Sequence, residues 1–237
     1  MTKEEVARMI DHTVLMPNIT EFDIKKLCSE ARKWNFASVC VNPCYVNLAK
    51  EQLQDTEVKI CTVIGFPLGQ ETSCTKAFGA YDAIKNGADE IDMVINISKV
   101  LDGDYIFVEK DIKEVVDKVK QANVDLDKNA IVKVILETCY LSDEQIVACC
   151  KCCVNAKADF VKTSTGFGTP KAIDGKPLPN GASSHHVALM KKAVDGKLKV
   201  KASGGIRSSK TALEMINSGA DRLGTSSGVL IVESWKE

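Results

Sequence analysis

Short runs rich in Val and Ile alternate with longer amphipathic stretches along the whole sequence. Eight runs read as strands, over residues 9–15, 37–41, 58–66, 89–96, 130–137, 158–165, 198–204 and 221–226. Helical periodicity is predicted between them, over 21–34, 43–54, 72–86, 104–122, 142–157, 182–195 and 208–218, with a short last helix at the C-terminus. Ser142 with Gln145 makes a capping box, and Ser208 caps the helix that follows it. NGADE (86–90), AKADF (156–160) and SGADR (218–222) recur where a helix ends and a strand begins, and two of the three place glycine where a left-handed cap is wanted. Eight strands, each followed by a helix, predict an α/β fold of the (β/α)8 TIM barrel type, with an open doubly wound sheet as the alternative.

No linker interrupts the alternation, so residues 1–237 are expected to form a single domain. A barrel requires alternate strand residues to face the lumen and the outer helices. Ile91, Met93 and Ile95 leave Asp92 on the other face, Val132 and Val134 leave Lys133 and Glu137, and Val200 and Ala202 leave Lys201. Lys162 shares a face with Phe160 and Ser164, and Asp11 with Thr13. Charge is therefore expected inside the barrel.

Composition narrows the function classes. With 45% hydrophobic and 27% charged residues the chain has the makeup of a folded globular protein, and a net charge of −1 argues against nucleic acid as a partner. No window approaches the ~18 consecutive apolar residues of a membrane span, and the charged start MTKEEVARMI fits neither a secretory signal nor an anchor, so a cytoplasmic protein is expected. Ten cysteines in 237 residues are too few for a disulfide scaffold and are expected as free thiols.

Lysine in the middle of an apolar strand is costly unless it is paired or loses its proton. Lys133, Lys162 and Lys201 against the inward acids Asp11, Asp92 and Glu137 are compatible with a purely structural ion network. Lys162 and Lys201, however, fall toward the C-terminal ends of consecutive strands, where barrel active sites lie. Ammonium groups roughly 5 Å apart at an effective dielectric of about 20 repel by about 3 kcal/mol, or about two pKa units. One amine is then expected to be neutral near pH 7 and able to attack a carbonyl, with Asp92 moving protons.

Two further loops suit an anion. ASGGIRSS after the seventh strand offers the backbone of Gly204 and Gly205, and GTSSGV after the eighth offers Ser226 and Ser227. Loops seven and eight of such barrels commonly hold phosphate. A phosphorylated carbonyl compound is the expected substrate.

Other residues have ordinary readings. CCKCC (149–153) lies within a predicted helix and lacks a second pair for a zinc site, so these thiols are expected to pack. Cys40 leads toward the catalytic end, where it is either buried or reactive toward aldehydes. His12 points away from the lumen by strand alternation, and His185 and His186 open a helix without further metal ligands in view.

The segments IDHTVL, EIDMVIN, VKVILET, DFVKTSTGF, KASGGIR and GTSSG, in this order over nearly the whole chain, resemble the deoxyribose-phosphate aldolase family. The resemblance implies reversible cleavage of 2-deoxy-D-ribose 5-phosphate into D-glyceraldehyde 3-phosphate and acetaldehyde, with Lys162 as Schiff-base lysine, Lys201 perturbing it and Asp92 in proton transfer. It also implies Thr165 and Gly166 at the substrate, Asp11, Thr13 and Lys133 in a supporting network, a homodimer or homotetramer, and no metal or organic cofactor. Spacing alone leaves open which lysine is the nucleophile. Some longer members of the family end in a tyrosine that reaches the site, whereas the last residues here are Ser234, Trp235, Lys236 and Glu237. Another class I aldolase or transaldolase, or a non-catalytic sugar-phosphate-binding barrel, remains the alternative.

Overall fold

A computed structural model describes residues 1–236. Strands β1 (Ile10–Thr13), β2 (Ser38–Val41), β3 (Lys59–Ile64), β4 (Glu90–Val94), β5 (Ile131–Ile135), β6 (Phe160–Lys162), β7 (Lys199–Ser203) and β8 (Arg222–Thr225) are all parallel and close into a barrel in sequence order, β8 pairing with β1. Every predicted strand is present, trimmed at its ends. Parallel strands covered on both faces need apolar residues on nearly every position, which explains the Val/Ile runs.

The outer layer comprises α1 (Lys3–Ala7), α2 (Glu21–Trp34), α3 (Val46–Gln52), α4 (Ser73–Asn86), α5 (Ile97–Leu101), α6 (Tyr105–Leu126), α7 (Asp143–Asn155), α8 (Ser184–Val194), α9 (Ser209–Asn217) and α10 (Gly228–Glu233). The five-residue helices α1 and α5 are too short to show a period and were not expected from the pattern. The capping box of Ser142 and Gln145 starts α7, and Ser208 with Thr211 starts α9. The core lies between this layer and the barrel wall and includes Ile24, Ile84, Ile112, Ile146 and Met190.

The recurrent helix-to-strand segments share a structural device. Gly87 (φ 122°), Lys157 (φ 60°) and Gly219 (φ 104°) take the left-handed turn after their helices. Two residues on, Asp89, Asp159 and Asp221 each accept a backbone N–H from the preceding strand, from Ile60 (2.9 Å), Val132 (2.8 Å) and Val200 (2.8 Å). The repeat thus stitches β4 to β3, β6 to β5 and β8 to β7 at the end of the barrel opposite the catalytic loops.

Candidate active site

In register, Asp92 on β4 pairs with Lys133 on β5, Ile135 with Lys162 on β6, and Lys162 with Lys201 on β7. The barrel therefore turns these polar side chains into one lumen, where all are buried. Asp92 is the hub. Its Oδ2 accepts from Lys162 Nζ (2.8 Å) and Lys201 Nζ (2.6 Å), and its Oδ1 from Lys133 Nζ (2.9 Å) and Cys61 Sγ (3.2 Å).

Below this hub the cations have additional partners. Lys201 Nζ is 2.5 Å from Asp11 Oδ2, and Lys133 Nζ is 2.5 Å from Glu90 Oε2 and 3.9 Å from Asp11 Oδ2. Arg222 donates to Asp11 Oδ1 (2.6 Å) and to Glu90 Oε1 (3.3 Å), and Ser38 donates to Asp11 Oδ1 (2.7 Å). Glu90 and Arg222 were not among the expected site residues. Among the described residues Lys162 alone of the three lysines has a single carboxylate within ion-pair reach. Within that reach the network holds four cations, Lys133, Lys162, Lys201 and Arg222, against three carboxylates, Asp11, Glu90 and Asp92.

Burial by itself would raise the Asp92 carboxyl, but Lys133, Lys162 and Lys201 hold it well below the usual carboxylate range. Burial likewise opposes ionisation of Asp11, which Lys201, Lys133 and Arg222 nevertheless keep low. Burial would strip the Lys201 proton, but Asp11 and Asp92 retain it and push that amine above the ordinary lysine value; Asp92, Cys61 and Glu90 do the same for Lys133. The simple Lys162–Lys201 repulsion expected from spacing is thus offset by the shared Asp92 oxygen.

Glu137 corrects an expectation. Its backbone adopts φ 56°, leaves the strand alternation, and turns the carboxylate out of ion-pair reach of the lysines to Thr165, whose N–H (3.2 Å) and hydroxyl both donate to Oε2, while Lys162 still acts on its charge. Burial raises this carboxyl above its ordinary value. Glu90 takes the third acidic place in the network instead. Thr13 is also displaced from the expected network: its hydroxyl donates to the Asp11 carbonyl (2.8 Å) and its side chain meets the cavity above.

That cavity, of about 270 Å³, opens at the C-terminal ends of the strands and includes Lys162, but neither Lys133 nor Lys201, in its wall. Thr165, Gly166, Gly204, Gly205 and Ser226 border it, together with Arg207, the last residue of the KASGGIR segment, which was not among the expected site residues. Ser227 instead ties the two anion-type loops together: its N–H donates to Thr225 Oγ1 (2.9 Å), whose hydroxyl donates to the Ile206 carbonyl (2.6 Å). Gly204 (φ 87°) lies so close to the segment after β6 that a Cβ on it would stand 2.8 Å from Gly181 Cα, and Ala182 N–H donates to its carbonyl at 3.0 Å. Only a glycine fits there.

The cysteines and His12 take the ordinary places expected of them. Cys149, Cys150, Cys152 and Cys153 are buried on α7, and burial pushes the Cys150 thiol up to about 12. Cys40 is fully buried with Leu15, Cys61 and Val63 beneath Phe66 and Phe167. His12 faces outward to Glu30 (2.7 Å) and packs on Phe36. Among the described residues no helix is long and apolar enough to cross a membrane. At the C-terminus, Trp235 is buried and donates to the Met1 carbonyl (3.0 Å), while Glu237 lies outside the described residues.

Comparison with known proteins adds three results. The sequence model of a family described as DeoC/LacD family aldolase matches residues 5–232. The chain is 54% identical over 241 residues to the deoxyribose-phosphate aldolase of Caldanaerobacter subterraneus subsp. tengcongensis, covering 100% of this chain and 98% of that one, and 53% identical to the protein of the same name from Caldicellulosiruptor saccharolyticus, covering 98% and 99%. Among solved structures it is similar to a tetrameric deoxyribose phosphate aldolase from Aeropyrum pernix, with a TM-score of 0.86, 33% identity, and coverage of 98% of this chain and 92% of that one.

Proposed function

Because the chain belongs to the DeoC/LacD aldolase family, we propose that it reversibly cleaves 2-deoxy-D-ribose 5-phosphate to D-glyceraldehyde 3-phosphate and acetaldehyde, with Lys162 as the nucleophile on a single barrel domain. The observation that carries this assignment is the isolation of Lys162: it borders the cavity, is held by one carboxylate oxygen, and sits in a network with one more positive charge than negative.

In the cleavage direction, neutral Lys162 Nζ attacks C1 of the open-chain sugar, and loss of water gives the protonated imine. Removal of the C3 hydroxyl proton breaks the C2–C3 bond, releases glyceraldehyde 3-phosphate and leaves its electron pair on the enamine. Protonation at C2 and hydrolysis release acetaldehyde and restore the amine. The iminium accepts the electrons, so the cycle balances without a metal or an organic cofactor. Asp92, 2.8 Å from the nucleophile, is placed to move the protons directly or through water, while Lys201 keeps its proton.

The substrate phosphate is assigned to the backbone of Gly204 and Gly205 and to Ser226, with Arg207 on the rim and Thr165 and Gly166 along the sugar chain. Asp11 and Lys133 support from beneath, Thr13 from the cavity wall, and Ser227 by holding the two loops together. A cytoplasmic homo-oligomer, dimer or tetramer, is the proposed working state. Exposed Phe22, Phe78, Ile106 and Val124 leave apolar surface for a second copy to cover. Light scattering coupled to gel filtration measures that state. Release of glyceraldehyde 3-phosphate from 2-deoxyribose 5-phosphate in a coupled assay tests the activity; absence of turnover, or a preference for a ketose donor over acetaldehyde in synthesis, overturns the assignment.

A further inference from the structure

The starts of α7 and α8 meet beside the catalytic mouth and bring together residues 42 positions apart in the chain. Asp143 is the first residue of α7, and His185 and His186 lie in the first turn of α8. His185 Nε2 is 2.7 Å from Asp143 Oδ2, and His186 Nε2 is 4.0 Å from Oδ1, so one carboxylate divides its two oxygens between two imidazoles. One donor atom from each of the three residues lies within 4.8 Å of the others. The adjacent histidines, which lack a third ligand in the linear sequence, acquire one through the fold.

An exposed Asp–His pair alone is an ordinary surface interaction worth about 0–1 kcal/mol. The second histidine distinguishes this cluster. His186 is only 23% exposed, its Nε2 faces Asp143, and its Nδ1 is buried with no hydrogen-bond partner among the described residues. Both backbones are held by caps: Ser183 accepts from His186 N–H (3.1 Å), and Ser142 accepts from Gln145 N–H (3.3 Å). Two imidazoles and a carboxylate form the donor set of borderline divalent metals, with bonds of about 2.0–2.2 Å and hence ligand atoms about 3.3 Å apart in tetrahedral geometry. The two histidine–carboxylate spacings, 2.7 and 4.0 Å, bracket that value.

We propose that Asp143, His185 and His186 form an open three-ligand site for a borderline divalent cation such as Zn²⁺, Co²⁺ or Ni²⁺, with water completing the coordination. A metal there links α7 to α8 at the base of the segment that reaches back to Gly204. The site lies outside the proposed aldol chemistry and does not depend on it.

Titration of the full chain with Co²⁺, followed by visible absorption, tests the site while separating it from the ten cysteines. The expected result is one equivalent bound with d–d bands and no thiolate charge-transfer band, and an affinity at least about tenfold weaker in His185→Asn and in His186→Asn. Aldolase activity of the metal-free variants matching metal-free wild type verifies their fold. Absence of binding to wild type, a thiolate band at the first equivalent, or unchanged affinity in both histidine variants overturns the proposal.

Discussion

Lys162 and Lys201 stand opposite one another in register on β6 and β7 and donate to the same oxygen, Asp92 Oδ2, at 2.8 and 2.6 Å. They differ in what else holds them: Lys201 also pairs with Asp11 at 2.5 Å, whereas among the described residues Lys162 has no second carboxylate in ion-pair reach. Replacing Lys201 with Leu takes one of the two amines off Asp92 Oδ2 and leaves Asp11 without its nearest ammonium group. The expected outcome is a large loss of turnover at neutral pH. A variant turnover equal to that of wild type contradicts this.

Asp11 compensates Lys201 and Arg222 deep in the lumen and also accepts from Ser38. Asp11→Asn leaves those cations short of a buried counter-charge, and breaking such a pair costs about 3–5 kcal/mol. Urea unfolding is expected to show a lowered midpoint with an unchanged slope. An unaltered midpoint speaks against a tightly coupled network.

Acid should unfold the protein through the same groups. Asp11 and Asp92 have folded-state pKa values below their unfolded values of about 3.9, so their contribution to stability is complete above that pH and is lost as pH falls through and below it. Glu137, raised by burial, works in the opposite sense and is stabilised by protonation. Melting temperatures measured between pH 6 and pH 3 are expected to fall steeply toward the acid end, and less steeply in Asp11→Asn. Equal slopes in both proteins would remove Asp11 from the explanation.

A second buried pair supports the strand that carries Asp92. Lys76 Nζ lies 2.7 Å from Asp111 Oδ2 and 3.0 Å from the carbonyl of Val94, the last residue of β4. Lys76→Met is expected to cost about 3–5 kcal/mol by leaving Asp111 unpaired, and the double variant Lys76→Met/Asp111→Leu to recover much of that loss. Chemical denaturation of the two variants checks the order; a double variant less stable than the single one refutes it.

Thiol accessibility separates surface from core. Cys44 and Cys74 are exposed, while Cys28, Cys40, Cys61 and the four cysteines of α7 are buried. Brief iodoacetamide treatment of the folded protein, read by peptide mass spectrometry, is expected to label the first two and spare the seven buried ones. Rapid labelling of Cys40 in the absence of substrate contradicts its burial.

The barrel was legible in the sequence because hydrophobic runs of strand length alternate with helical periods, a pattern that survives errors of two or three residues at each end. Asp92, Lys133, Lys162 and Lys201 were legible for the same reason: each is polar at the centre of an apolar strand. Glu90 and Arg222 begin their strands, where a charge also suits a loop, so they passed as boundary residues. Carrying the alternation one step outward from Asp92 and from Gly224 would have placed both on the inner face. Glu137 misled because a left-handed residue breaks the alternation, and Thr13 because its hydroxyl turns back to its own backbone. Spacing left the nucleophile open, and the count of carboxylates around each lysine, which favours the proposed assignment to Lys162, exists only after the strands have closed.

Covalent capture at Lys162 probes the nucleophile most directly. Incubation with acetaldehyde and sodium borohydride, followed by peptide mapping, is predicted to place one two-carbon adduct on Lys162 and to abolish activity in proportion to its formation. An adduct on Lys133, Lys201 or any other residue with Lys162 unmodified, or full activity retained after treatment without an adduct, would contradict it.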